Sequence, residues 1–434
     1  MGKANSHYKK VGKQAWKLME RLFPITRSQT GEGVRETFRI ISEYIPLRIF
    51  EVSTGKKVLD WRIPQEWNIK DAYIKDVKGE KVVDFKKNNL HVVSYSQPVR
   101  KIMELKDLKK HLHTLPNKPD AIPYRTSYYE KNWGFCMSHK DYLKLKEGKY
   151  EVVINVSLKK GSLTYAECKV AGKTKDEFLV FTHICHPSLA NDGLSAVVVA
   201  TYIAKHLLNS KNLKYTYRFI FAPTTIGAIT WLARNENKLS NVKGGLVLAE
   251  LGGPGHPIYK KSKSGNALVD RIFGRMLKRE WKKLEIREFS PWGHNERQFC
   301  SPGFNLPVGC LMRNPHEEYR EYHTSLDNLS FVKPEHLADS YKAAVLGLDE
   351  LERQEYYLNL HPKGEPQLGK RGIYKTMNTL STKRADEQKA MLWVLNYSDK
   401  EHSLGDISEK SGVDIKTIRK MTKILEDKRL IKKI

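Results

Sequence analysis

The chain lacks any run of about 18 apolar residues, so no membrane-spanning helix is expected. Its first residues, "MGKANSHYKKVGKQAWKLMERLF", lack the uncharged core of a secretory signal. Cysteine is scarce. The five present, Cys136, Cys168, Cys185, Cys300 and Cys310, are odd in number and form no CxxC. A reduced, cytoplasmic protein is therefore expected, not a disulfide scaffold. Acidic residues are short as well: 49 against 76 basic ones, a formal net charge of +27. That excess favours polyanionic partners, nucleic acid among them. It equally fits a surface that is merely basic, because the lysines run from end to end.

What is present is globular. A chain of 434 residues exceeds one small core, and 40% hydrophobic with 29% charged residues points to two or three folded domains. Residues 8–45 carry apolar positions at helical spacing, as in "AWKLMERLF" and "GVRETFRIISEYI". From Arg48 to about Glu167, short β-type runs such as "KVVDF", "LHVVSYS" and "KYEVVINVSL" alternate with Gly, Pro and Asn turns, which predicts a small β-rich domain. From about Phe178, strand-like and helix-like segments alternate: "FLVFT", "YRFIF" and "GGLVLAE" each precede an apolar helical stretch. This predicts an α/β domain with a mostly parallel sheet, whose ligands belong at the carboxyl ends of the strands.

One such end reads "THICHPSLANDG", Thr182 to Gly193. His183 and His186 follow the apolar run "EFLVF", and Asp192 opens the next helix. Zinc takes neutral imidazole nitrogen and carboxylate oxygen, and a carboxylate can bridge two ions. The competing reading makes Asp192 a helix N-cap and leaves the histidines in a turn. Two further residues reach the same edge from elsewhere: Glu250 at the end of "GGLVLAE", and His323 in the loop "EYHTSLDN". Separate arrivals of this kind make a candidate site.

"HPSLANDGLSA" and "EYHTSLDN" resemble the metal-binding segments of zinc-dependent aminopeptidases. With "DWRIPQEWNIKDAYI", "IPYRTSYY", "WGFCMSH" and "ERQFCSPGFNLPVG", they make essentially the whole chain similar to a bacterial aminopeptidase-like family often found near surface-polysaccharide genes. The resemblance implies a zinc-exopeptidase-like α/β domain over 1–47 and 168–361. It also implies a β-rich, protease-associated-like insert over 48–167, a linker over 362–382 and a winged helix over 383–434. In the related aminopeptidases one His and an Asp hold one zinc, a Glu and a distal His hold the other, a further Asp bridges, and a neighbouring Glu is the general base. Carried over, His186 resembles the first ligand with His183 its rival, Asp192 the bridge and His323 the distal ligand. Zinc is the implied cofactor, one ion expected and two left open. An amide or peptide is the implied substrate, and water activated by zinc would attack its carbonyl in any active form.

The chain departs from that pattern at three places. Before "IG" the resemblance predicts one Glu or two; here stand Thr224 and Thr225. A hydroxyl is neither a base near neutral pH nor a good zinc ligand. An acidic residue is expected where Asn295 stands, and an Asp near Gly253, for which Glu250 is the candidate substitute. Arg125 and Asn295 are candidate substrate contacts; Arg125 suits a carboxylate, or else ties the insert to the core. Cys136 and His139 read as packing in an aromatic cluster. In the tail, Lys416, Arg419, Lys420 and Lys423 lie near one face of a helix, which suits DNA or a protein partner. A catalytically inactive binding or regulatory protein is the alternative function, and self-association is left open.

Overall fold

A computed structural model describes residues 2–373 and 382–434. The chain divides into two compact units, 1–347 and 348–434. The first is built on an eight-stranded mixed sheet. Its four central strands, in spatial order Thr216–Ala222, Glu177–His183, Val242–Leu248 and Val308–Met312, are all parallel. Parallel strands covered on both faces read as continuous apolar runs, and Glu177–His183 is buried along its whole length. Helix Ala196–Leu208 follows it and is buried on almost every side, as its near-uncharged sequence predicts. On one face, Leu179, Phe181, Ile220, Val247 and Val308 pack with Trp231 and Phe299 into a single core.

The β-rich segment holds an antiparallel four-stranded sheet, in order Lys81–Asp84, Glu66–Lys75, Lys149–Lys159, Val99–Glu104. It has its own core, with Trp67, Ile74, Phe135, Val152 and Ile154. Its bounds are narrower than 48–167. Arg48–Ser53 and Ser162–Val170 pair antiparallel with each other as edge strands of the large sheet, Arg48 opposite Glu167 and Ser53 opposite Ser162. The chain thus leaves and re-enters the main domain through neighbouring strands, which closes the segment into a compact insertion. One insert loop returns to the main domain. The Tyr124 amide donates to the His323 carbonyl (2.8 Å), and the Ser325 amide donates to that of Ile122 (2.8 Å).

The second unit is a winged helix. Helices Thr382–Tyr397, Leu404–Ser411 and Ile415–Asp427 pack around Val394, Ile407, Ile418 and Leu425. Local chemistry sets the turn between the last two helices. Ser403 and Asp406 form a capping box, Gly412 takes φ 68° after the helix end, and the Asp414 carboxylate accepts from the Lys416 and Thr417 amides. The module starts before residue 383. Strand Tyr356–Asn359 is the centre of its three-stranded sheet, flanked by Asp399–Ser403 and Ile431–Lys433. The 362–382 stretch is therefore a connection inside this module rather than a linker ahead of it. Residues 374–381 of that stretch lie outside the described residues.

Candidate metal centre

Strand Glu177–His183 delivers His183 to the carboxyl edge of the sheet, and His186 follows in the loop. The next segment, Ala190–Ser195, is coiled but not regularly helical. Asp192 takes φ −78°, ψ 101° and Gly193 takes φ 99°. A Cβ at Gly193 would lie 3.3 Å from His183 Nε2, so glycine lets the backbone pass close beside the imidazole. The kink turns the Asp192 carboxylate inward. Its Oδ1 lies 3.0 Å from His183 Nε2, and its Oδ2 lies 3.0 Å from His323 Nε2 and 3.8 Å from His186 Nε2. Suitable ligand atoms of His183, His186 and Asp192 all fall within 4.8 Å of one another. His183 and His186 thus face opposite oxygens of one carboxylate. Asp192 is no helix N-cap.

The electrostatics suit a cation. Burial alone would raise the Asp192 carboxyl, but the imidazoles of His186, His183 and His323 outweigh it and hold it well below the usual range. Burial pushes His186 down to about 3 and His294 down to about 4. Both are neutral near pH 7, the form in which imidazole binds a metal. Glu250 is fully buried and its carboxyl is raised well above the ordinary value, by burial first and by the Asp192 charge second.

Glu250 follows strand Val242–Leu248 and makes no hydrogen bond to Asp192 among the described residues. Its partner is His294, whose Nε2 lies 3.2 Å from Glu250 Oε2. Glu250 Oε1 is buried and has no hydrogen-bond partner. Glu250 and His323 take φ 50° and 51°, a left-handed backbone that non-glycine residues adopt uncommonly.

The two departures from the expected carboxylates meet in space. Thr224 Oγ1 donates to Asn295 Oδ1 (3.2 Å), so a neutral hydrogen bond stands where acidic side chains were expected. Asn295 Nδ2 is buried without a partner. Arg125 is exposed, and among the described residues it makes no contact with the imidazole cluster; its charge bears on His113 and Cys136.

Several positioning groups carried no signal in the sequence. Asp327, fully buried, accepts from the amides of Asn191 (2.6 Å) and Asp192 (2.9 Å). Asn191 Oδ1 in turn accepts from the Gly252 and Gly253 amides, which joins the Asp192 and Glu250 loops. Buried Arg27 donates from Nε to the His186 carbonyl (2.9 Å). Tyr322 stacks on His323 at 4.0 Å, and Tyr124 of the insert stands edge-on to it at 5.1 Å. Only a three-dimensional arrangement reveals these roles, since each partner is distant in the chain or acts through backbone.

Residues 16–354 match a family model described as a domain of unknown function, DUF4910. The chain belongs to the DUF4910 family. In this DUF4910 protein, residues 355–433 match a winged helix-turn-helix model, which agrees with the module beginning ahead of Tyr356. A Clostridium acetobutylicum protein is 52% identical over 409 residues, 94% of each chain. It is named "Putative polysaccharide biosynthesis protein with aminopeptidase-like domain". A crystal structure titled as a "putative peptidase" from Clostridium acetobutylicum is 48% identical with a TM-score of 0.87, covering 100% of this chain and 99% of that one. A zinc aminopeptidase from Bacillus subtilis shares the fold at 12% identity, TM-score 0.58, over 78% of this chain and 95% of that one. The architecture is therefore aminopeptidase-like, with a large mostly parallel sheet, and a winged helix follows it. No helix among the described residues is long and apolar enough to cross a membrane.

Proposed function

We propose that this protein holds zinc through His183, His186, Asp192 and His323, and that it takes an amide-bearing ligand on which its hydrolytic power is low. The observation that carries this is Asp192, a buried carboxylate contacted by three imidazoles from two separate segments. Such a donor set, neutral nitrogens around one carboxylate, fits zinc. When bound, zinc would polarise a carbonyl and lower the pKa of water. The chain's own residues do the rest. Asp327 and Arg27 hold the Asp192 and His186 backbones in place. Tyr124 and Tyr322 pack against the His323 ring and hold its orientation. Thr224, hydrogen-bonded to Asn295, offers no base for the attacking water, which weakens a step commonly worth roughly 10²–10⁴-fold.

The test is elemental analysis of the purified chain, with an amide panel assayed before and after chelation. At least one zinc per chain and weak, chelator-sensitive turnover are expected. The name of the Clostridium relative couples an aminopeptidase-like domain to polysaccharide biosynthesis, so N-acetylated sugars join the amino-acid amides in the panel. A chain that binds no zinc and hydrolyses amides regardless would refute the reading.

The neutral Thr224–Asn295 pair also favours the second reading, a binding protein without turnover. The winged helix does little to make that protein a DNA reader. Arg419 Nε lies 3.1 Å from Glu355, Lys433 Nζ 3.0 Å from the same carboxylate, and Lys420 Nζ 2.6 Å from Glu387. Two of the four cations that would meet phosphate, Arg419 and Lys420, are thus already paired. Arg419→Ala in the full chain should therefore leave the salt dependence of duplex binding unchanged, whereas loss of a phosphate contact lowers the log–log slope by about 1. A slope that falls by that amount, with lost sequence preference, would restore DNA reading.

A further inference from the structure

We propose that Trp292 is a stacking platform at the mouth of the site, and that the ligand seated on it is an N-acylated amino sugar. The proposal rests on the reading above that the site takes an amide-bearing ligand, and it gives that ligand a chemical class.

Trp292 is 63% exposed, yet its backbone is firmly anchored. Buried Lys260 forms an ion pair with fully buried Glu296 and donates to the carbonyls of Trp292 (2.9 Å) and Ser290 (3.3 Å). Arg297 donates to the carbonyl of Gly293 (3.2 Å). Gly293 takes φ 137°, and a Cβ there would come within 2.7 Å of Lys260 Nζ, so the loop is built tightly against the lysine. A buried charge pair is costly to desolvate. Here it fixes the backbone that holds a large apolar ring out to water. From that ring an aromatic row leads inward. His316 lies 6.2 Å from Trp292, His294 lies 5.3 Å from His316, and His183 lies 6.0 Å from His294. Tyr322 flanks His316 at 6.5 Å and stacks on His323. Both branches end at imidazoles that contact Asp192.

Two features select the ligand. The first is His316 Nδ1, which is buried and has no hydrogen-bond partner. A hydroxyl both donates and accepts, so it satisfies that nitrogen in either tautomer. A pyranose carries several hydroxyls, and its weakly positive C–H face suits the negative face of an indole ring. The second feature is charge. The carboxylates in contact with these rings are engaged, Asp192 by three imidazoles and Glu250 by His294. Where the resemblance predicts further acids, Thr224 and Asn295 form a neutral pair. Glu317, next to His316 in the chain, is exposed, where an ion pair is worth little. Taking an ammonium group out of water without a buried anion is costly, whereas an acylated nitrogen carries no charge. A peptide with a free amino terminus is therefore the poorer fit, and the sugar nitrogen is acylated.

The experiment measures, by calorimetry, binding of N-acetylglucosamine, its β-1,4-linked disaccharide, glucosamine and N-acetyl-leucine amide to the full chain, with zinc content determined on the same samples. Wild type should bind the acetylated sugars at least about tenfold tighter than glucosamine or the blocked amino acid. Trp292→Ala should weaken the acetylated sugars about tenfold, the upper end of what one aromatic contact contributes, at unchanged zinc content. Trp292→Phe should restore most of that loss, which a merely structural role for the indole would not predict. Equal sugar binding by wild type and Trp292→Ala would overturn the platform. Glucosamine bound as tightly as its acetylated form would overturn the requirement for an acyl group, and tighter N-acetyl-leucine amide would overturn the sugar class. Sugar binding that depends on Trp292 in a chain holding no zinc would uphold the proposal and sink the zinc reading alone. Zinc bound with no affinity for either acetylated sugar would do the reverse.

Discussion

Asp192→Ala should abolish the proposed zinc binding and any activity that depends on it; this is the largest single-residue effect expected. The carboxylate is the common neighbour of His183, His186 and His323, and each oxygen serves a different side of the cluster. Outer-shell partners of metal ligands typically cost 10–100-fold in affinity when removed. Loss of this central ligand should exceed about 100-fold by that comparison. The metal-free variant should still fold. The Asp192 amide bond to Asp327 is made by backbone, and helix Ala196–Leu208 is fixed by its own burial. Thermal melts with and without zinc separate the two effects: wild type gains stability from zinc in proportion to the logarithm of its concentration over Kd, and the variant gains none. A variant that melts at the same zinc-shifted temperature as wild type would show that the ion sits elsewhere.

The alternation of strand and helix from Phe178 onward was legible because parallel strands buried on both faces leave long apolar runs. The tail was legible because its caps are local: Ser403, Gly412 and Asp414 announce their helix ends within a few residues. His183, His186, Asp192 and His323 could be found because they sit at strand ends or in a loop rich in polar residues. What remained hidden was non-local. Strand Arg48–Ser53 looks like any short β run, and only its pairing with Ser162–Val170 shows which sheet owns it. Strand Tyr356–Asn359 belongs to the winged helix through partners more than 40 residues further on. His294 was passed over for its neighbour Asn295, since nothing in "PWGHNERQF" says which side chain turns toward Glu250. Asp327 acts on backbone amides, which leave no mark in sequence.

Thr224→Glu should raise amide hydrolysis by about 10²-fold or more, within the range a positioned general base supplies. The half-buried Thr224 follows strand Thr216–Ala222 at the edge of the sheet that carries His183. Its hydroxyl now spends its hydrogen bond on Asn295 Oδ1. Replacement removes that bond, but the buried Asn295 Nδ2, which has no partner, is available to donate to the new carboxylate. A carboxylate there is hydrogen-bonded on one oxygen and keeps the other for a proton. Asn295→Asp in the same chain should work against this, because two adjacent buried carboxylates repel and one stays protonated. The ordering expected for kcat is therefore Thr224→Glu above the double variant, and the double variant at or above wild type. Wild type, Thr224→Glu and the double variant are compared on amino-acid amides and N-acetylated sugars at matched metal content. A gain in kcat with little change in KM marks a new base, since the substrate is bound as before and only the chemical step is helped. Equal rates in all three, each with full metal, would mean that the missing base is not what limits this site, and the chain would then be a binder whose ligand is released unaltered.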